Sequence, residues 1–344
     1  MPSSTLRVLA LLATTAALFA AGGVRASGGA ASAGAQGGRQ ASASATKVAR
    51  ARPAHPKPPS TSLGQPNDGR LLHGRALPRR GPGFRFANPH GQNARYGTDE
   101  VVRAIVRAAR ITHRRFGGQP LVVNDLSRRG GGPLDHHSSH QSGRDVDVLF
   151  YETDPRGRPV RPVQTFFDPE GHAVDFRDLS DPSDDVPLRF DTARTFAFLR
   201  ALVEDPRAGL QRVFIVEHLR ARLLAYGKAH GAPAAVLERL GAVTCQPGPP
   251  HDDHMHLRFF CSPQDVRAGC RDMPPMYPWH RALLASRHVE PLRAKRPRPS
   301  ARAKTVSPEQ ARSNAGPMNA EVRGWLERRE TWRHRPHPGR PWCR

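Results

Sequence analysis

Acidic side chains are scarce in this chain. Asp and Glu number 30 against 53 Lys and Arg, a formal net charge of +23. Such an excess means attraction to polyanions. Aromatic residues are also few, 6% of the whole, and they do not interleave with the basic segments. Stacking platforms for nucleic acid are therefore missing, and no specific nucleic-acid partner is expected. The four cysteines, Cys245, Cys261, Cys270 and Cys343, contain no C-x-x-C pair, which argues against a zinc ribbon. After residue 26 no stretch is long and apolar enough to span a bilayer. Hydrophobic residues reach only 38%, while Pro (34) and Gly (31) are frequent. That balance describes a folded centre diluted by flanks that cannot fold alone.

The flanks read accordingly. Arg7 followed by an apolar run from Val8 to Ala21, and a small-x-small site at Val24-Arg25-Ala26, predicts a signal peptide over residues 1–26. Export to the periplasm is the expected localisation. Residues 27–61 are Ala, Gly, Ser, Pro and Lys with almost no large apolar side chain, a disordered linker by composition. Residues 291–344 are rich in Arg and Pro and read as a basic tail. Its charge would tether the protein to an anionic wall or membrane surface, with one short helix expected around Glu321 to Arg329. In an oxidising compartment the cysteines would be paired. Cys261 and Cys270 are the expected pair because they are close in sequence, which leaves Cys245 with Cys343 by elimination.

Residues 62–290 carry the globular pattern. Thr98 can cap a helix whose first turn holds Asp99 and Glu100, followed by Val102, Ile105, Val106 and Ala109 at helical spacing. Thr192–Glu204, Leu219–Tyr226 and Ala234–Leu240 also read as helices. Leu121–Val123, Asp145–Tyr151, Val213–Glu217 and His254–Phe260 read as strands. Residues 155–190 are polar and turn-rich and predict a long surface excursion with room for a hairpin. The order of elements is not a strict βαβ repeat. It predicts an α+β fold, a small mainly antiparallel sheet with flanking helices and a metal site on the sheet face.

Two histidine blocks carry the chemistry. The first runs His136-His137-Ser138-Ser139-His140 and continues to Asp145-Val146-Asp147; the second is His251-Asp252-Asp253-His254-Met255-His256. On a strand, side chains alternate faces. His254 and His256 then share a face, with Met255 and Leu257 in the core. One imidazole can bind a metal while its neighbour reaches a water. Asp145 and Asp147 also share a face, and a carboxylate aimed into a cleft needs a partner. Two His and one Asp suit Zn2+ and leave a position open for water. Asp252 and Asp253 fit either as orienting partners of imidazoles or as a solvated loop. Asp168 and His172 form a weaker candidate pair.

These blocks, taken with Gly64-Gln65-Pro66-Asn67-Asp68-Gly69 and Asp125-Leu126-Ser127, resemble the penicillin-insensitive murein endopeptidases. That family belongs to the wider group joining lysostaphin-type enzymes, D-Ala-D-Ala metallopeptidases and hedgehog domains. The resemblance implies His140, Asp147 and His256 as zinc ligands. It implies His254 as general base, His251 as a donor to the tetrahedral intermediate and His137 as a further histidine beside the metal. It implies cleavage of D-alanyl to meso-diaminopimelyl cross-links in peptidoglycan. A D,D- or L,D-carboxypeptidase on the same site and a non-catalytic basic wall-binding protein are the alternatives.

Overall fold

The computed structural model describes residues 57–248, 250–302, 304–333 and 343. The expected signal peptide lies outside them, as does all but the end of the expected linker. Its last residues are already built into the domain. Ser60 Oγ accepts from the Asp99 amide, and Thr61 opens a hairpin strand, Thr61–Gln65.

One seven-stranded sheet organises the rest. Its strands are β1 (Arg80–Gly81), β2 (Phe84–Phe86), β3 (Leu121–Val123), β4 (Asp145–Val148), β5 (Leu210–Phe214), β6 (Thr244–Cys245) and β7 (Met255–Phe259). They lie in the order β6-β5-β7-β4-β3-β2-β1. The centre is antiparallel, and only β5 with β6 and β2 with β3 run parallel. The expected α+β class, a mainly antiparallel sheet with helices, is what forms.

Helices cover one side: α1 (Asp99–Phe116), α2 (Thr192–Glu204), α3 (Glu217–Ala229) and α4 (Ala234–Val243). Each starts where the sequence supplies a reason. Thr98 caps α1 by accepting from the Val101 amide, with Asp99 and Glu100 in the positive first turn. Asp191 caps α2 in the same way through Arg194. Val101, Ile105 and Ala108 of α1 and Phe198, Leu199 and Leu202 of α2 are buried in the main core with Val146, Val148, Met255 and Leu257 of the central strands. The alternation read in His254–Phe260 therefore holds. Met255, Leu257 and Phe259 face the helices, which turns the remaining side chains of β7 to the opposite face.

The stretch 155–190 does hold a hairpin, His172–Asp175 with Val186–Phe190, but as part of a four-stranded antiparallel sheet with Glu152–Thr153 and Pro159–Val160 rather than of a surface excursion. Its polar composition concealed Phe166, Phe167, Phe176 and Phe190, which are buried. Asp168 and His172 close a turn there, with the His172 amide donating to Asp168 Oδ1.

Glu152 belongs to one of these strands. It is fully buried and shares the Val163 amide between its two oxygens at 3.2 Å each. Burial raises its pKa well above the ordinary 4.5. The folded protein thus favours the protonated form, so its share of stability is present below pH 4.5 and lost as pH rises through the folded pKa. Glu152→Gln should be near neutral at pH 4 and stabilise by roughly 1–3 kcal/mol at pH 8. Thermal melts across pH check this, and parallel curves for the two proteins would refute it.

The C-terminal residues were expected to be a basic tail, and those described do not behave as a solvated one. After α5 (Pro263–Arg267) and α6 (Pro278–Ala285), residues 295–302 run back across the hairpin, and Lys304 meets the first histidine loop. Gln65 is bonded to Lys295, Asp68 to Arg298, Gln141 to the Ala301 carbonyl, and the His136 amide to the Lys304 carbonyl. Two helices follow, α7 (Pro308–Ala315) and α8 (Ala320–Arg333). Ala311, Val322, Trp325 and Trp332 form a second core with Phe166, Val174, Phe176 and Leu179. A short helix was legible there; its burial was not. Both expected disulfides form, Cys261–Cys270 and Cys245–Cys343. Among the described residues no helix is long and apolar enough to cross a membrane.

Candidate metal centre

The register of two neighbouring strands sets the site. β4 and β7 pair so that Asp147 stands opposite His256 and Asp145 opposite Arg258. Beyond Val123 the β3 chain stays beside β4: the Asn124 amide donates to the Asp147 carbonyl, and the Asp147 amide to the Asp125 carbonyl. Asp125 is thereby fixed next to Asp147. The loop that follows carries the first histidine block. It doubles back at Gly131, whose φ of +70° and position 2.6 Å (as an added Cβ) from the Leu71 amide leave no room for a side chain. His136, His140 and His251 also have positive φ, 70°, 66° and 53°. For residues other than glycine this is backbone strain held by its surroundings, and such strain gathers at working sites.

The side chains then converge. Asp147 Oδ1 lies 3.1 Å from His256 Nδ1, 3.3 Å from His140 Nε2 and 3.6 Å from His254 Nε2. Asp147 Oδ2 lies 3.4 Å from His137 Nδ1. His140 Nε2 and His256 Nδ1 are 3.3 Å apart. Each of these imidazoles is held by its other nitrogen. His140 Nδ1 meets the Leu126 carbonyl at 2.6 Å, and His256 Nε2 meets Asp145 at 3.0 Å. His254 Nδ1 meets Asp253 at 2.8 Å, and His137 Nε2 meets Asp125 at 3.0 Å. A carbonyl or carboxylate on one nitrogen fixes the tautomer and leaves the other lone pair aimed at the centre.

This donor set fits a cation. Asp147 Oδ1 is buried and makes no hydrogen bond, although three ring nitrogens surround it. Donor atoms of His137, His140 and Asp147 lie within 4.8 Å of one another, as do those of His90, Asp125 and His137. His256 Nδ1, close to both His140 and Asp147, belongs to the first cluster by its distances. Electrostatics agree. Burial works against charge on His140, but Asp147 outweighs it and raises its pKa to about 9. Burial likewise opposes charge on His254, and Asp253 with Asp147 raises it to about 9. His137 is pushed down to about 4 by burial and by the neighbouring His140. Against burial, hydrogen bonds from His137 and His90 bring Asp125 down to about 2. His140 and His254 thus hold protons against the Asp147 charge, and a zinc ion, which suits imidazole nitrogens with a carboxylate, would take the place of those protons.

The six candidate residues thus line one cleft of about 1010 Å³. His251 stands on its rim, its ring 5.0 Å from that of His254 and 5.8 Å from that of His256. Asp145, left undecided by the sequence, is buried and accepts from the Arg258 guanidinium at 2.7 Å and from the His140 amide at 3.1 Å. Asp252 and Asp253 are buried too, which removes the solvated-loop reading. Among the cleft residues not foreseen are His90, Gln164 and Arg329. His90 Nδ1 meets Asp125 at 2.7 Å, and Asn124, Gln164 and Asp253 form a chain of hydrogen bonds ending at His254. None lies in a histidine block, and no spacing rule reaches them.

An α+β domain whose sheet presents clustered histidines and carboxylates to an open cleft defines a class of protein able to hold a catalytic metal. Residues 62–312 match the family model of the penicillin-insensitive murein endopeptidases, and the chain belongs to that family. Membership implies a peptidase acting on murein. No curated protein sequence matches the chain.

Proposed function

We propose that this protein is an exported zinc-dependent endopeptidase that hydrolyses D-alanyl to meso-diaminopimelyl cross-links of peptidoglycan. The convergence of His140, His256 and His254 on the buried Asp147 Oδ1 is the observation that carries the reading. His140, Asp147 and His256 would hold the ion. The chemistry it supplies when bound is polarisation of the amide carbonyl and activation of water near neutral pH.

The chain's own residues supply the rest. His254, anchored by Asp253, presents Nε2 to the cleft and accepts the proton of the attacking water. The carboxylate behind it makes it a stronger base, and the same nitrogen returns the proton to the leaving amine. His251 donates a hydrogen bond to the carbonyl oxygen as charge develops there. His137, held by Asp125, keeps Asp147 oriented at the edge of the cluster. The expected signal peptide and the two disulfides support a periplasmic location. The net charge of +23 supports attraction to anionic wall polymer.

Purified protein incubated with cross-linked muropeptide dimers should yield monomers by mass. Chelator should stop the reaction and zinc restore it. Monomers that lose a single residue would instead identify a carboxypeptidase, and wall binding without turnover a non-catalytic binder.

A further inference from the structure

α8 lies beyond residue 312, where the family match ends, yet it reaches the cleft. Its apolar side is spent on Phe166, Val174 and Leu179. From it Arg329 extends to Asp252 in a two-pronged pair, Nε to Oδ2 at 2.8 Å and the terminal nitrogen to Oδ1 at 2.6 Å. The two side chains are 2% and 0% exposed. Trp332 Nε1 adds a third bond to the same carboxylate at 3.2 Å, and the Asp252 carbonyl accepts from the Phe167 amide at 2.9 Å. Residue 252 is therefore pinned by side chain and by backbone.

Its neighbours on the turn are His251, strained at positive φ, and Asp253, the anchor of His254. An ionised Asp252 cannot stay buried without its partner; the turn would have to move toward water. Lysine offers a point charge where arginine offers a planar fork matched to a carboxylate. We propose that Arg329 is a positioning residue of this active site: by clamping Asp252 it fixes the 251–254 turn that presents His251 and His254 to the cleft. This rests on the zinc-peptidase reading for the roles of the two histidines, and not for the clamp.

The test uses the full chain with Arg329→Met, Arg329→Lys and Val322→Ala, the last removing packing from α8 away from Asp252. Arg329→Met is expected to lower kcat about 10–100-fold with KM within about twofold, the effect typical of losing a residue that orients another. Bound zinc should be unchanged, because His140, Asp147 and His256 lie off the turn. Amide exchange at 251–254 should accelerate, and Arg329→Lys should recover part of both losses. Wild-type kcat in Arg329→Met, unaltered exchange at 251–254, or an equal loss in Val322→Ala at matched stability would each overturn the proposal. If the wild type cleaves no muropeptide while exchange at the turn still responds to Arg329→Met alone, the clamp stands and the functional reading falls.

Discussion

Asp147→Asn is expected to reduce kcat/KM on the order of 1,000-fold or more, equivalent to about 4 kcal/mol of transition-state stabilisation. The substitution keeps the shape of the side chain and removes its charge. It acts where His140, His254 and His256 converge, on an oxygen with no hydrogen bond to lose. The backbone bonds of residue 147 to Asn124 and Asp125 are untouched, so the sheet should persist. Zinc content measured on the purified variant should fall in parallel with activity. Asp145→Asn is the instructive comparison. Asp145 acts through His256 and Arg258, so its loss should lower activity only about 10–100-fold. Equal losses in the two variants, at equal thermal stability, would mean that the roles of the two aspartates are misassigned.

Ending the chain at residue 319, which also removes Cys343 and its disulfide to Cys245, is expected to destabilise the protein by about 5 kcal/mol or more relative to a full-length chain already lacking that disulfide (Cys245→Ser with Cys343→Ser). Asp252 would lose Arg329 and Trp332 together and become an unpaired buried charge, worth about 3–5 kcal/mol alone. Phe166 and Leu179 would lose the cover of Val322, Trp325 and Trp332. A loss of that size lowers the melting temperature by roughly 10–20 °C, and turnover of soluble muropeptides should fall with it. A solvated basic tether predicts the opposite outcome against the same disulfide-free reference: unchanged melting and turnover, with only wall retention reduced.

Both expectations bear on what could be read from residues alone. Asp145, Asp147 and His256 lie on strands whose alternation is visible in Val146, Val148, Met255 and Leu257, so their faces followed from period two. The helix at Thr98 announces itself by its cap and apolar spacing. The contacts that complete the site have no such local signature. Arg329 sits among many arginines, and nothing in its neighbours marks it as buried. His90 and Gln164 reach the cleft only because separate loops fold onto it. The second sheet was read as an excursion because Asp, Pro and Gly dominate residues 155–190, while its apolar positions are too few per strand to show a period. Long-range ion pairs and short strands are decided by tertiary packing, and composition averages them away.

The pairing of β4 with β7 carries one more consequence. His140 and His256 are 116 residues apart in the chain, and nothing brings them together until the central sheet has closed. Contacts between such distant segments form late and slowly, because loop closure comes before any gain from the contact. A metal held by both therefore binds the finished sheet and not the unfolded chain, and its binding free energy is added to folding. Metal loading on the proposed ligand set would thus also report that folding has been completed.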